Sequence, residues 1–218
     1  MEQKRNYQKE MERITKSFAP GDKPRLLLHS CCAPCSSAVL ETVAPYFALT
    51  VYYYNPNIAP REEYQKRVEE QKRLLLQMPL PGPVDFLEGP YEPDCFLQAV
   101  KGLEMVPEGG ARCEKCFRLR LRKAAEAAKE GSFDFFTTTL TVSPLKNAPL
   151  LNQIGEEMAA KYGVRWLPSD FKKKEGYKRS ITLSHQYGLY RQDYCGCAFS
   201  KRERMEEKRR REQEGAKP

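Results

Sequence analysis

The sequence has no apolar run of the roughly 18 residues that a helix needs to cross a bilayer. Its first 20 residues, MEQKRNYQKEMERITKSFAP, also lack the apolar stretch of a secretory signal. Because both features are missing, we expect a cytoplasmic protein without a membrane-spanning segment. Hydrophobic residues make up 40% and aromatic residues 11% of the 218 residues, which is enough for a packed core.

Positive charge is concentrated in two short segments. The formal net charge is +8, from 37 basic and 29 acidic residues. Residues 112–123 hold six basic residues and one acidic residue, and residues 172–179 hold five and one. A localised basic surface is typical of proteins that bind a polyanion such as RNA. The alternative is a solvated basic face that binds nothing.

Short apolar segments alternate with helical patterns from residue 25 onward. Strands are predicted at 25–29, 49–54, 84–87, 133–139 and 164–167. Helices are predicted at 36–44, 62–77, 93–103, 116–130, 150–162 and 177–187. This alternation predicts an α/β fold with a parallel sheet and helices on both faces. We expect a helical extension at 1–20, one α/β catalytic domain at 21–200 and a charged tail, helical at first, at 201–218.

Eight cysteines are the unusual feature of the composition. In a chain without a secretory signal, they favour reduced thiols used for metal binding or catalysis over disulfides. Seven of them lie in three motifs: HSCCAPC at 29–35, RCEKCF at 112–117 and YCGC at 194–197. Cys95 stands alone, and we interpret it as a small buried hydrophobe. Seven thiols exceed the four ligands of one zinc ion, so they predict a cluster, two metal sites, or a cluster with a redox pair.

The placement of the motifs favours bound thiolates. The first motif lies between a predicted strand and helix, and the second opens a helix, where free backbone N–H groups stabilise anions. A disulfide across Cys195-Gly196-Cys197 would be strained, so this pair suits a labile redox disulfide or an exchangeable metal. Two other interpretations stay open. One is a thioredoxin-like exchange centre at 32–35, and the other is a structural zinc site with four ligands: Cys113, Cys116, Cys195 and Cys197.

Four segments, HSCCAPC, RCEKCFRLRL, TTTLTVSPLKN and YRQDYCGC, occur in the order typical of epoxyqueuosine reductases of the QueH type. The sequence resembles that family over about residues 25–200. The resemblance implies a fold similar to the adenine-nucleotide alpha-hydrolase core. It also implies cobalamin-independent reduction of epoxyqueuosine to queuosine in tRNA, the last step of queuosine synthesis. A [4Fe–4S] cluster with an additional iron is implied, as is an external low-potential electron donor, since no flavin or nicotinamide motif is present.

The resemblance also implies roles for single residues. The cluster ligands would be Cys31, Cys32, Cys113 and Cys116. The second centre would be formed by Cys35, Cys195 and Cys197, either as iron ligands or with the last two as a redox-active disulfide. The candidate proton donors are Asp193, Tyr190 and His185.

Substrate contacts are expected near the third and fourth of these segments. Arg191 and Gln192 would contact the modified base or a phosphate, or else cap a helix. Lys146 and Asn147, in the segment 143–147, would bind substrate at the sheet edge, or else form an ordinary turn. The candidate phosphate contacts are Arg118, Arg120, Arg122, Lys123, Lys172, Lys173 and Lys174. Besides the reductase, a zinc-stabilised RNA-binding module and a thioredoxin-like thiol oxidoreductase remain as alternatives.

Overall fold

Five parallel strands form the centre of the protein. The computed structural model describes residues 5–215, so the expectations for residues 1–4 and 216–218 lie outside the described residues. The strands are β1 (Arg25–His29), β2 (Ala48–Tyr53), β3 (Val84–Glu88), β4 (Phe135–Thr138) and β5 (Arg165–Trp166). Their order across the sheet is β3-β2-β1-β4-β5, and every neighbouring pair is parallel. The predicted α/β class is therefore confirmed.

Eight helices in residues 5–215 connect and flank the strands. They are α1 (Tyr7–Lys16), α2 (Ala33–Val43), α3 (Arg61–Gln77), α4 (Pro93–Ala99), α5 (Ala111–Glu130), α6 (Ala148–Tyr162), α7 (Gly176–Gln186) and α8 (Ala198–Gly215). A short 3₁₀ turn, Thr139–Val142, follows β4. In the part of the chain that the structure describes, no helix has the length and apolar character to cross a membrane.

The helices cover both faces of the sheet, as predicted. Leu26 and Leu28 of β1 pack on one face, in a buried cluster with side chains of α2, α3 and α7. Leu27 points to the opposite face, where it joins a second cluster with side chains of α4, α5 and α6. The alternation follows from the two-residue period of a strand, and its apolar side chains on both faces explain the unbroken apolar run of β1.

Three helix boundaries differ from the prediction by three residues or more. Helix α2 begins at Ala33, three residues before the predicted start. Helix α5 begins at Ala111, five residues before the predicted start, because the cysteine motif forms its first two turns instead of preceding it. Helix α4 ends at Ala99 and not at residue 103. The chain turns at Gly102, whose φ of 80° lies in the left-handed region that glycine adopts readily.

The sheet order positions the first cysteine motif. Strand β1 connects through α2 to β2 on one side, whereas its other neighbour is β4. The switch point of the sheet therefore lies between the carboxyl ends of β1 and β4, where ligands bind in open α/β sheets. HSCCAPC follows β1 there, and TTTLTVSPLKN follows β4.

A candidate thiol-rich metal and redox site

The first cysteine motif brings three thiols together in one tight connection. Cys32 is the N-cap of α2, and Pro34 lies in the first turn, where its missing N–H costs no hydrogen bond. The Sγ atoms of Cys31, Cys32 and Cys35 lie within 4.8 Å of one another. The Sγ atoms of Cys31 and Cys32 are 3.9 Å apart. This spacing lets the three sulfurs bind a common metal ion.

These three thiols shift one another's pKa values. The pKa of Cys31 is lowered well below its ordinary value, because Cys32 and Cys35 hydrogen-bond to its thiolate and because Arg120 and Thr139 stabilise it further. For the same reason the pKa of Cys32 rises to about 12 and that of Cys35 also rises. Hydrogen bonds among the three thiols therefore favour a negative charge within the first motif.

The second and third motifs meet in a different, small cavity. Cys113 and Cys116 lie in the first two turns of α5, and Cys195 and Cys197 lie just before α8. All four border this cavity of about 10 Å³. Burial raises the pKa of Cys116 to about 12, and burial also raises the pKa of Cys113. The thiols of two distant segments therefore face one another across a narrow space.

A single glycine conformation holds the third motif in place. Gly196 has a φ of 116°, and a Cβ built on it would lie 3.0 Å from both Arg67 Nη1 and Ile58 Cγ1. Its carbonyl accepts a hydrogen bond of 3.1 Å from the backbone N–H of Ala59. Helix α3 and the loop before it approach the backbone at residue 196 so closely that only glycine fits between Cys195 and Cys197.

A larger cavity of about 280 Å³ adjoins the first motif. Cys31, Cys32 and Cys35 line it, and so does Cys195, which borders both cavities. The three motifs therefore converge at the carboxyl edge of the sheet. All eight cysteines are free thiols.

Several predicted substrate and proton-transfer residues line the larger cavity. They are Lys146, Arg191, Gln192 and Asp193. The side chain of Lys146 is 8% exposed and forms an ion pair of 2.6 Å with Glu108. Asp193 is exposed and lies 3.5 Å from Lys208 Nζ.

Three other candidates do not line that cavity. Tyr190 donates a hydrogen bond of 3.2 Å from its hydroxyl to Glu63 Oε2. His185 is exposed in the last turn of α7. Asn147 is the N-cap of α6, where its Oδ1 accepts a hydrogen bond of 3.0 Å from the backbone N–H of Leu150.

Arg120 is not a surface residue, so its prediction as a phosphate contact is wrong. It is 1% exposed. Arg120 lies four residues after Cys116 in α5, so the helical period places both side chains on the same buried face. Cys95, predicted to be a small buried hydrophobe, packs against the core and is half-buried.

The other basic candidates lie at the surface, and most are paired with carboxylates. Arg118 pairs with Glu114 and Glu157, and both Arg122 and Lys123 pair with Glu126. Lys172 pairs with Asp170, and Lys174 pairs with Glu12. Lys173 is exposed and forms no ion pair with residues 5–215. Nearby carboxylates thus offset much of the charge of the two basic segments.

Two buried polar residues, Arg67 and His29, lie next to the thiols. Arg67 is 2% exposed, lines the larger cavity and donates from Nη1 to the carbonyl of Cys195 at 3.4 Å. Arg67 lies in a charged helical segment, and nothing in the sequence distinguishes it from its exposed charged neighbours. His29 is fully buried, and its Nδ1 lies 2.8 Å from the Oγ1 of Thr138 in β4.

Comparison with known proteins shows the family of this chain. The family model described as "Epoxyqueuosine reductase QueH" matches residues 26–203. A protein of that name from Staphylococcus epidermidis is 43% identical over 203 residues, covering 91% of this chain and 85% of the relative. The relative from Acinetobacter baylyi is 37% identical, covering 91% and 92%. The relative from Thermotoga maritima is 36% identical, covering 83% and 92%. The chain belongs to the epoxyqueuosine reductase QueH family of oxidoreductases, as the four motifs indicated.

Proposed function

We propose that this chain reduces epoxyqueuosine in tRNA to queuosine with an iron–sulfur cluster and an additional iron. The observation that carries the proposal is the convergence of seven thiols from three distant motifs at the switch point of the sheet. The name of its relatives supplies the substrate. Removing the epoxide oxygen as water consumes two electrons and two protons, so an external low-potential donor must supply the electrons.

The donor set fits iron–sulfur chemistry. Thiolates are soft ligands, a [4Fe–4S] cluster takes four of them, and seven leave three for a second centre. When bound, such a cluster supplies electrons one at a time. The free thiols of the three motifs border two adjoining cavities, and Cys195 faces both, so the two centres would be neighbours.

The division of the thiols between the two centres is also a proposal. In our assignment, the cluster ligands are Cys31, Cys32, Cys113 and Cys116, and the second centre is formed by Cys35, Cys195 and Cys197. The cavities favour a competing division, in which the second and third motifs bind one centre and the first motif binds the other.

The larger cavity would receive the modified base. A volume of about 280 Å³ suits one small ring system and not a stretch of RNA, so the nucleotide would enter from outside the fold. Arg191 and Gln192 offer hydrogen-bond donors at its wall, and Lys146 offers a cation. Asp193 is our proposed proton donor, because it is the one of the three candidates that lines the cavity.

The test is turnover of tRNA carrying epoxyqueuosine, with dithionite as electron donor and nucleoside mass spectrometry as readout. Anaerobically loaded protein should produce queuosine, and protein without its metal should produce none. A fully loaded protein that leaves epoxyqueuosine unchanged would contradict the proposal.

A zinc-stabilised RNA-binding module is the second candidate, because four thiols around one small cavity also match a tetrahedral zinc site. Zinc thiolate is colourless, whereas iron–sulfur clusters absorb visible light. The absorption spectrum of anaerobically purified protein therefore separates the two candidates.

A further inference from the structure

Arg120 is a fully buried cation next to the thiols. It lies in α5, four residues after Cys116, and is 1% exposed. Its Nη2 donates a hydrogen bond to Asn55 Oδ1, and its Nε lies 3.4 Å from His29 Nε2. Neither an amide oxygen nor an imidazole nitrogen is an anion, so neither partner supplies a counter-charge.

Three buried cations border the two cavities next to the cysteine motifs, and each has a carboxylate partner. The pairs are Arg67–Glu63 at 2.7 Å, Arg112–Glu203 at 2.6 Å and Lys146–Glu108 at 2.6 Å. Arg120, in contrast, forms no ion pair with a carboxylate anywhere in residues 5–215. A buried cation without a counter-charge is strongly unfavourable, so its counter-charge must come from another kind of group.

The cysteine ligands of a metal centre are the available counter-charge, because thiolates make such a centre anionic. Arg120 lies one helical turn after Cys116 of the second motif, and its Nε lies 3.4 Å from the Nε2 of His29, two residues before Cys31 of the first motif. Arg120 is therefore placed between the first and second motifs, and its hydrogen bond to Asn55 fixes the orientation of the planar guanidinium.

We propose that Arg120 is a positioning residue whose fixed charge raises the reduction potential of the metal centre; this rests on the proposed iron–sulfur function. Reduction adds negative charge to a centre that thiolates already make anionic. A nearby cation favours that reduced state, and net charge is one of the factors that set the potential of iron–sulfur clusters. Arginine suits this role because it stays protonated at every pH the protein meets.

The test is the midpoint potential of the anaerobically loaded protein, titrated with dithionite and followed by EPR. In Arg120→Gln, the equilibrium constant for reduction of the centre should fall at least tenfold. For a one-electron couple this lowers the midpoint potential by about 59 mV. Arg120→Lys keeps the charge and should retain most of the wild-type potential. Arg118→Gln, on the exposed face of the same helix, should not change it.

Asn55→Asp tests the effect of the Arg120 charge independently. It places a carboxylate next to the guanidinium without changing the size of the side chain, so it should also lower the potential, even if Arg120→Gln fails to bind iron. Loaded Arg120→Gln or Asn55→Asp protein with the wild-type potential would overturn the role of Arg120 and leave the proposed function intact. A colourless wild-type protein that binds only zinc would instead overturn the proposed function, and the role of Arg120 with it.

Discussion

Glu70 of α3 accepts a hydrogen bond of 2.6 Å from the backbone N–H of Tyr190, which lies 120 residues later in the chain. The same carboxylate pairs with Arg73 at 2.8 Å. The hydrogen bonds from Arg73 and from the Tyr190 backbone hold the pKa of Glu70 below its usual value. This contact ties α3 to the segment that leads to the third cysteine motif.

Replacing Glu70 by glutamine should destabilise the fold in a pH-dependent way. At neutral pH we expect Glu70→Gln to lose about 1 kcal/mol of unfolding free energy, because a charged hydrogen bond becomes a neutral one. The pKa is lower in the folded state than in the unfolded state. The stabilisation by the Glu70 carboxylate is therefore complete above the pKa of the unfolded state. It is lost as the pH falls through the pKa of the folded state.

Urea unfolding of the two proteins at pH 7 and at about pH 3 measures this change. Glu69→Gln, at an exposed neighbour, is the matched control and should behave as wild type at both values. If the difference in unfolding free energy between wild type and Glu70→Gln were the same at both pH values, the charge of Glu70 would not be its cause.

Alanine at Gly196 should damage the third motif. We expect Gly196→Ala to cost about 2 kcal/mol, because φ there is 116° and the new Cβ would crowd Arg67 and Ile58. The loop should move, and iron bound per chain should fall with the stability. Thermal unfolding and iron analysis measure the two effects.

Gly188→Ala is the matched control. Gly188 also has a positive φ, of 53°, but nothing lies within 4 Å of the Cβ that alanine would add. It should therefore lose some stability and keep its iron. Equal iron loss in both variants would mean that the left-handed backbone, and not the crowding at Gly196, explains the effect.

Among the surface candidates for phosphate contacts, Lys173 can meet tRNA without first breaking an ion pair with residues 5–215. It is exposed and lies four residues before Tyr177, which lines the larger cavity. We expect Lys173→Glu to weaken tRNA binding. The logarithm of the association constant should also fall less steeply with the logarithm of the salt concentration, by about one unit of slope. Fluorescence anisotropy at several salt concentrations measures both.

Lys129→Glu is the control for charge alone. Lys129 is exposed at the far end of α5, about 24 Å along the helix from Cys113 by the rise per residue. It should change binding much less. Equal losses in the two variants would place tRNA elsewhere or make its binding non-specific.

Single Cys→Ser variants test how the thiols are divided. If our division is correct, serine at Cys31, Cys32, Cys113 or Cys116 removes the cluster. Serine at Cys35, Cys195 or Cys197 should then remove only the additional iron. Cys95→Ser is the control and should keep all iron, because Cys95 lies outside the three motifs. Loss of the cluster in Cys195→Ser with retention in Cys31→Ser would favour the competing division.

Much of the fold follows from local patterns. Strand β1 has three consecutive leucines, 26–28, a pattern typical of a strand buried on both faces, and it forms as predicted. The position of the first motif follows in turn, because a loop after a central parallel strand must lie at the carboxyl edge. The cavities bring the second and third motifs to the neighbourhood of the first.

The burial of charge could not be predicted in the same way. In the sequence, Arg120 cannot be distinguished from the surface basic residues near it. It points into the protein because it lies on the same face of α5 as Cys116. Arg67 is similarly hidden in the charged helix α3. A buried cation is stable only where tertiary contacts bring it a partner, and those partners lie far away in sequence. Periodicity alone does not reveal them.

Iron and acid-labile sulfide per chain, measured together after anaerobic reconstitution, test the central claim most directly. If the three cysteine motifs hold a [4Fe–4S] cluster with an additional iron, iron should exceed sulfide, and both should persist after gel filtration. Zinc without labile sulfide, in protein that remains folded, would contradict the claim.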